Sequence, residues 1–289
     1  MKPRILLMGD IPGWTFDFHC RTISRLLSSK YAFYTSYGGQ WFNPMDYDLV
    51  YPLEWNLLPF GYRLPNMITG IRSHLSWDQY DFNLVLERLR HFKIVHVVSQ
   101  RLYDIFSPHL PVRYVTHGVD IKSFCPPRVQ RMTKRIVVGW AGNRASKVKG
   151  YEEFIQPLSN LEGVTIKLCG YGDRKVKKEE MPGWYCSLDV YICSSSSEGN
   201  NNPLMEAAAC GLPIITTDNG TVPEIFKDHE SALIVDRHPQ SFSDALRELR
   251  DDRSLRMKLG RNARLAIKDW DWSKKIRDYD LMFEEALNG

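Results

Sequence analysis

Apolar residues in this chain collect into short runs, separated by segments where they recur at helical spacing. RILLM (4–8) is one such run, and FDFHCRTISRLL (16–27) behind it keeps its apolar positions on one helical face. DLVY (48–51), NMITGI (66–71), IVHVV (94–98) and VRYV (112–115) predict further strands, and SQRLYDIF (99–106) a helix with Ser99 placed to cap it. Segments 35–46 and 52–65, rich in aromatics, Gly and Pro, are expected as long loops. VDIKSFCPPRVQRMTKR (119–135), with a double proline and five basic residues, reads as a linker. Beyond it, RIVVGWAG (135–142), VTIKLCG (164–170), DVYIC (189–193), PIITT (213–217) and ALIV (232–235) predict strands. GYEEFIQPL (150–158) and PLMEAAAC (203–210) predict helices, and amphipathic helices follow at about 239–250, 251–268 and 273–287. Strands spaced by helical segments predict an α/β fold of parallel sheets covered on both faces. Ligands of such sheets sit beyond the carboxyl ends of the strands.

Composition adds limits. With 289 residues, 43% hydrophobic and 25% charged, the chain is long enough for two core-forming domains. A net charge of +4 and a pI near 8.6 suit a phosphate-bearing ligand or an anionic surface, and do not identify a nucleic-acid binder. The six cysteines form neither a CxxC pair nor a metal-ligand spacing, so they read as reduced core residues of a cytoplasmic protein. The apolar run of MKPRILLMGD breaks at Gly9-Asp10, too early for a signal peptide, and no stretch is long enough for a transmembrane helix. Membrane contact is therefore expected to be peripheral, at the cytosolic face.

The candidate chemistry lies in SSSSEGNNNPLMEAAACGLPIITT (194–217). A polar loop leaves the end of DVYIC, Pro203 suits the first position of the next helix, and Asn202 is the expected N-cap. Amides of Asn200, Asn201, Asn202 and Leu204 would then face the cleft as an anion site. Glu206 falls one turn in, and helical side chains lean back toward the N-terminus, so its carboxylate can reach the same place. Its plain alternative is a glutamate that favours the helix dipole. A capping box would put the carboxylate at the third helical position, which is Met205 in this register. Gly211 is expected to end the helix.

Glu198 and Glu206 stand in an E-x7-E spacing that resembles the donor site of the retaining glycosyltransferases of family 4. VVGWAGNRASKVKGYEEF resembles the strand, diphosphate-binding turn and helix that open that family's C-terminal domain, with Arg144 and Lys149 at its R-x4-K spacing. VTIKLCGYGD resembles the next strand and glycine turn, with Gly170 and Tyr171. VVSQRLYDIF, VTHGVDIKSFCP and DWSKKIRDYDLMFEEAL resemble the end of the N-terminal domain, its hinge and the closing helix. The likeness runs from about residue 94 to the end and is weak before that. It implies a GT-B fold, two Rossmann-like parallel-sheet domains facing across a cleft. Domain 1–128 would take the acceptor, 129–270 the nucleotide sugar, and helix 271–289 would cross back to the first. The implied reaction is metal-independent transfer of a sugar from a nucleoside diphosphate sugar, with retention and without a covalent intermediate. Arg144 and Lys149 would neutralise the departing diphosphate, although three cations in six residues can equally form a solvated basic turn. Glu206 would accept from the ribose hydroxyls, and Glu198, beside Gly199, from hydroxyls of the transferred sugar.

Departures from the family pattern matter. Asn200-Asn201-Asn202 replaces a Gly-Phe-Gly-like stretch and is expected to alter sugar selectivity or add amide contacts. His117 stands where an asparagine is usual. Of the family's N-terminal Gly-Gly loop only Gly13 is available. His74 resembles the acceptor-side histidine that approaches the donor, and His19 is a weaker candidate beside it. MDYD (45–48) contains a D-x-D, the metal-binding signature of another glycosyltransferase fold, but reads as a strand entry. RKVKK (174–178) reads as a solvated loop or a membrane contact. No cofactor or metal is expected, and the acceptor is a saccharide or lipid-linked hydroxyl. The alternatives are a non-catalytic nucleotide-sugar or glycan-binding module, and a transferase acting on modified DNA. A dinucleotide oxidoreductase is disfavoured because GDIPGW and GWAGNR lack G-x-G-x-x-G.

Overall fold

A computed structural model describes residues 1–127, 135–170 and 176–289. Contacts divide it into two compact units, Met1–Gly118 with Trp272–Gly289, and Val119–Asp271. The division falls at Gly118/Val119 rather than at 128, which itself lies outside the described residues along with the rest of 128–134.

Unit 1 begins with β1 (Arg4–Gly9), α1 (Thr15–Leu27), β2 (Ala32–Tyr37), β3 (Leu49–Pro52) and β4 (Ile68–Ile71). It continues through α2 (Phe82–Leu89), β5 (Ile94–Val97), α3 (Gln100–Phe106) and β6 (Val112–Tyr114). The strands form two parallel sheets, β2-β1-β3 and β4-β5-β6, joined at β3 and β4 by a single bridge, Val50–Met67. Ser99 caps α3 as its side chain accepts from Leu102 N. Two elements differ from expectation. β2 runs through part of the loop predicted at 35–46, because it is an edge strand paired only with β1 and carries the polar Thr35 and Ser36. Helix α2 was not foreseen, although Asp81 caps it and Val85, Leu86 and Leu89 are buried at helical spacing.

Unit 2 contains β7 (Ile136–Ala141), a π-helical turn (Tyr151–Ile155), β8 (Val164–Cys169), α4 (Met181–Cys186), β9 (Val190–Cys193) and α5 (Asn202–Ala209). It ends with β10 (Ile214–Thr216), α6 (Val222–Ile225), β11 (Leu233–Ile234), α7 (Pro239–Asp251) and α8 (Arg253–Ala266). The sheet is entirely parallel, in the order β11-β10-β9-β7-β8. Its inner strands β9 and β10 are buried on both faces, which is why they read as continuous apolar runs. Gly211 ends α5 at φ +74°, with Leu212 N donating to Ala207 O at 3.1 Å.

The last helix, α9 (Trp272–Asn288), belongs to unit 1. Tyr279, Met282, Phe283 and Ala286 form its buried stripe and share a core with Ile5, Leu7, Cys20 and Ile23. Among the described residues no helix is long and apolar enough to cross a membrane. Asp46 and Asp48 flank the entry to β3, where the Asp48 carboxylate accepts from Arg4 N at 2.7 Å.

Candidate functional site

In unit 2 the chain leaves the carboxyl end of β7 at Gly142 and turns back through Asn143–Gly150. Asn143 Oδ1 accepts from Ala145 N at 3.0 Å, and the far side of the turn is pinned to the exit of β9. There Ser194 Oγ donates to Lys149 O at 2.7 Å, and Ser196 N to Val148 O at 2.9 Å. Arg237, ahead of α7, fastens both strands of this junction. Its Nε donates to Ser194 O at 3.0 Å, its Nη2 to Lys147 O at 3.1 Å, and its guanidinium lies over the Phe154 ring. The turn thereby holds Lys149 with its side chain only 26% exposed and its Nζ on the Glu198 carboxylate. Burial disfavours the ammonium, but the Glu198 charge outweighs it and keeps Lys149 above the usual lysine range. Arg144, on the same turn, is exposed and stacks over Tyr151 at 4.5 Å.

Glu198 and Gly199 sit on a floor made by the turn after β10. A Cβ on Gly220, at φ +48°, would lie 2.4 Å from Gly199 O, so only glycine lets that turn approach. Thr217 Oγ1 and Asn219 Nδ2 donate to Ser195 O at 2.6 and 2.9 Å, which braces the loop from below. The asparagine triplet divides its labour. Asn200 Oδ1 accepts from Thr221 Oγ1 at 3.0 Å. Asn201, not Asn202, is the N-cap of α5: its backbone is extended, its Oδ1 accepts from Leu204 N at 3.1 Å, and its Nδ2 donates to Cys193 Sγ. Pro203 occupies the second helical position, which a missing N–H tolerates as well as the first. The Leu204 amide is thus committed to the cap rather than offered to a ligand. Asn200 and Asn201 are buried, whereas Asn202 is half-buried.

Glu206, 5% exposed, projects from α5. Tyr185 OH donates to its Oε2 at 3.0 Å, and Lys178 Nζ pairs with its Oε1. Lys178 also lies over the Phe124 ring at 5.0 Å. Both glutamates act on one buried phenol. The Tyr191 hydroxyl is pushed well above its ordinary range by burial, then by Cys193 and the charges of Glu198 and Glu206. Two carboxylates, each already matched to a lysine, can accept hydroxyl donors, and the lysines with Arg144 can meet an anion.

Gly170, at φ +138°, packs against the first residue after β7; a Cβ there would lie 2.1 Å from Gly142 O. Tyr171 lies outside the described residues, as do Arg174 and Lys175 of RKVKK. The described end of that run is no solvated loop, because Lys178 is engaged with Glu206. The acceptor-side candidates all belong to unit 1. Gly13, at φ +78°, donates its N–H to Asp17 Oδ2 at 2.8 Å. His19 is buried, with Nδ1 3.0 Å from Arg72 Nη1 and its ring stacked on His117 at 4.2 Å. His74 opens a 3-10 turn that Ser73 caps, and burial with the Arg101 charge lowers its imidazole below the ordinary range. Among the aromatics of the early part of unit 1, Trp55 is fully buried core, while Tyr34 and Trp41 are exposed. Sequence reasoning missed Lys178, Tyr185, Gly220 and Arg237. Of these only Gly220 carried a local signal, the TDNGT turn.

Residues 174–266 match the family model of the glycosyl transferases group 1. The chain is 32% identical over 111 residues to D-inositol 3-phosphate glycosyltransferase of Paenarthrobacter aurescens, covering 38% of this chain and 27% of that protein. It spans about a quarter to a half of the length of the first curated relatives it matches. Sucrose-phosphate synthase from Thermosynechococcus elongatus superposes with a TM-score of 0.80 at 14% identity, over 98% of this chain and 99% of that one. Anabaena Alr3699/HepE, solved in complex with UDP and glucose, superposes at 0.75 with 14% identity over 98% and 99%. The fold is that of the GT-B glycosyltransferases.

Proposed function

We propose that this chain is a glycosyltransferase that binds a nucleoside diphosphate sugar in unit 2 and passes the sugar to a hydroxyl acceptor. The observation that carries the proposal is the pair of lysine–carboxylate contacts, Lys149–Glu198 and Lys178–Glu206, on segments that follow the carboxyl ends of the strands. Such a site has acceptors for vicinal hydroxyls and cations for a diphosphate within one strand-end constellation. As the bond between sugar and diphosphate breaks, negative charge gathers on the leaving group. Lys149 and Arg144 stabilise that charge without reorganising, because the turn that carries them is fixed by Ser194, Ser196 and Arg237. Glu206 takes the ribose hydroxyls and Glu198 those of the sugar. The Gly170 turn borders the nucleotide. Retention and independence of metal come from the resemblance to family 4, and His74, neutral at pH 7, serves the acceptor side from unit 1. A saccharide or lipid-linked hydroxyl in the cytoplasm is the acceptor that fits this scheme.

Since one structural neighbour carries UDP and glucose, UDP-sugars lead the donors to be tried. The test is release of nucleotide from UDP-, GDP-, ADP- and CMP-sugars by the purified chain, without acceptor. Slow release from one donor, lowered tens-fold in Lys149→Ala, is expected. Binding without release from any donor would make the chain a nucleotide-sugar-binding module, and loss of release in a chelator would refute metal independence.

A further inference from the structure

Unit 2 has a concave feature at the amino-terminal edge of its sheet, at the opposite strand ends from Glu198 and Lys149. It is a cavity of about 460 Å³ between α8 and the segments that enter β9 and β10. Its floor is tight: a Cβ on Gly260 would lie 2.2 Å from Gly211 O, so α8 rests on the turn that closes α5. Five cations line it, Arg253, Arg256, Arg261, Arg264 and Lys268, all from α8 and the 3-10 turn that follows. Against them stands one carboxylate, Asp189, whose Oδ2 already accepts from Val137 N at 2.7 Å. Among the described residues none of the five forms an ion pair with a carboxylate.

The two half-buried arginines are instead oriented by backbone carbonyls, which leave their charge in place. Arg264 donates to Phe124 O, Ala209 O and Ile121 O at 3.0, 2.7 and 2.9 Å, and Arg256 to Arg250 O at 2.9 Å and to Leu249 O. Arg253, Arg261 and Lys268 are exposed at the rim. The thiols in the wall do not offset this charge, because burial raises Cys186 and Cys210 and keeps both protonated. A concave surface with five like charges at close quarters and a single carboxylate against them carries a standing repulsion that a bound anion relieves. Guanidinium forks match phosphate oxygens in pairs, and the volume falls within the range of small-ligand sites.

We propose that this cavity binds a multiply charged phosphate group, independently of the donor site. A soluble phosphate compound and an anionic lipid headgroup share that chemistry; Met257 and Leu265, exposed beside the cations, suit the second source. The experiment uses the double variant Arg144→Ala/Lys149→Ala, which removes both cations assigned to the donor diphosphate. Calorimetric titration with pyrophosphate should still show a binding event in that background. That event should weaken tenfold or more when Arg261→Gln and Lys268→Gln are added, since each cation contributes a charge-assisted contact. These rim side chains make no hydrogen bond in the structure's described contacts, so an unchanged melting temperature should accompany the loss. A second arm measures retention on vesicles of phosphatidylglycerol in phosphatidylcholine against phosphatidylcholine alone. Retention that the rim substitutions abolish assigns the headgroup as source, and pyrophosphate binding without retention assigns a soluble compound. Failure of both arms, or binding indifferent to the rim substitutions, overturns the proposal.

Discussion

Lys178→Met separates the two roles that the structure gives to Glu206. The Glu206 carboxylate is 5% exposed and has two partners, Lys178 Nζ on Oε1 and Tyr185 OH on Oε2 at 3.0 Å. Removing one partner of a buried ion pair costs about 3–5 kcal/mol, because the remaining charge is left uncompensated. A third of the Lys178 side chain already meets water, which reduces the expected loss to about 2 kcal/mol. For a unit of this size that corresponds to a melting temperature lower by about 4–8 °C. Glu206→Gln should behave in the opposite way. Its amide oxygen still accepts from Tyr185, and Lys178 turns to solvent, so stability falls by about 1 kcal/mol or less. Donor affinity reverses the order. Glu206→Gln loses charge-assisted bonds to the ribose and should bind the nucleotide sugar roughly 10- to 100-fold more weakly. Lys178→Met should bind it about as well as wild type, because the hydroxyls then satisfy the orphaned carboxylate. Calorimetric melting and donor titration of both variants give the four numbers. A Lys178→Met protein as stable as wild type, or a Glu206→Gln protein with full donor affinity, would refute the reasoning.

Three further outcomes are expected. Arg144→Ala and Lys149→Ala should each lower nucleotide release tens-fold or more, read from initial rates; equal rates would remove both from the diphosphate. Gly170→Ala should destabilise unit 2 by about 2 kcal/mol or more in urea unfolding, because its Cβ would strike Gly142 O at 2.1 Å and its φ of +138° suits glycine. Burial pushes the Glu54 carboxyl up to about 8 from 4.5. The folded chain therefore holds a proton that the unfolded chain has released between those values, and stability drops by a few kcal/mol as pH rises from about 5 through 8. Glu54→Gln should flatten that decline and exceed wild type in stability at pH 9; parallel stability profiles would contradict it.

Much of this arrangement is visible in the sequence, for physical reasons that also explain the gaps. Strands buried on both faces announce themselves as apolar runs, as in RILLM and DVYIC. β2 does not, because an edge strand paired only with β1 can keep polar residues such as Thr35 and Ser36. Helix α2 had a cap and apolar spacing and went unread for want of a longer period. Lys149 and Glu198, far apart in sequence, could be suggested only by resemblance, and the turn that joins them depends on Arg237, which no local pattern marks. The Asn201 cap was misplaced by one residue because proline fits the first two helical positions equally well. Lys178 stood in a basic run that looked solvated; what binds it is a carboxylate on a different element, and only tertiary structure brings the two together.

Equilibrium binding of a nucleotide sugar tests the central claim most directly. Calorimetric titration of UDP-, GDP-, ADP- and CMP-sugars into wild type and Glu206→Ala should show saturable one-to-one binding of one donor class to wild type. That binding should weaken at least tenfold in the variant, since the ribose loses its charged acceptor. If no nucleotide sugar binds wild type, or if Glu206→Ala binds as tightly, the site of Glu198 and Glu206 is not a donor site.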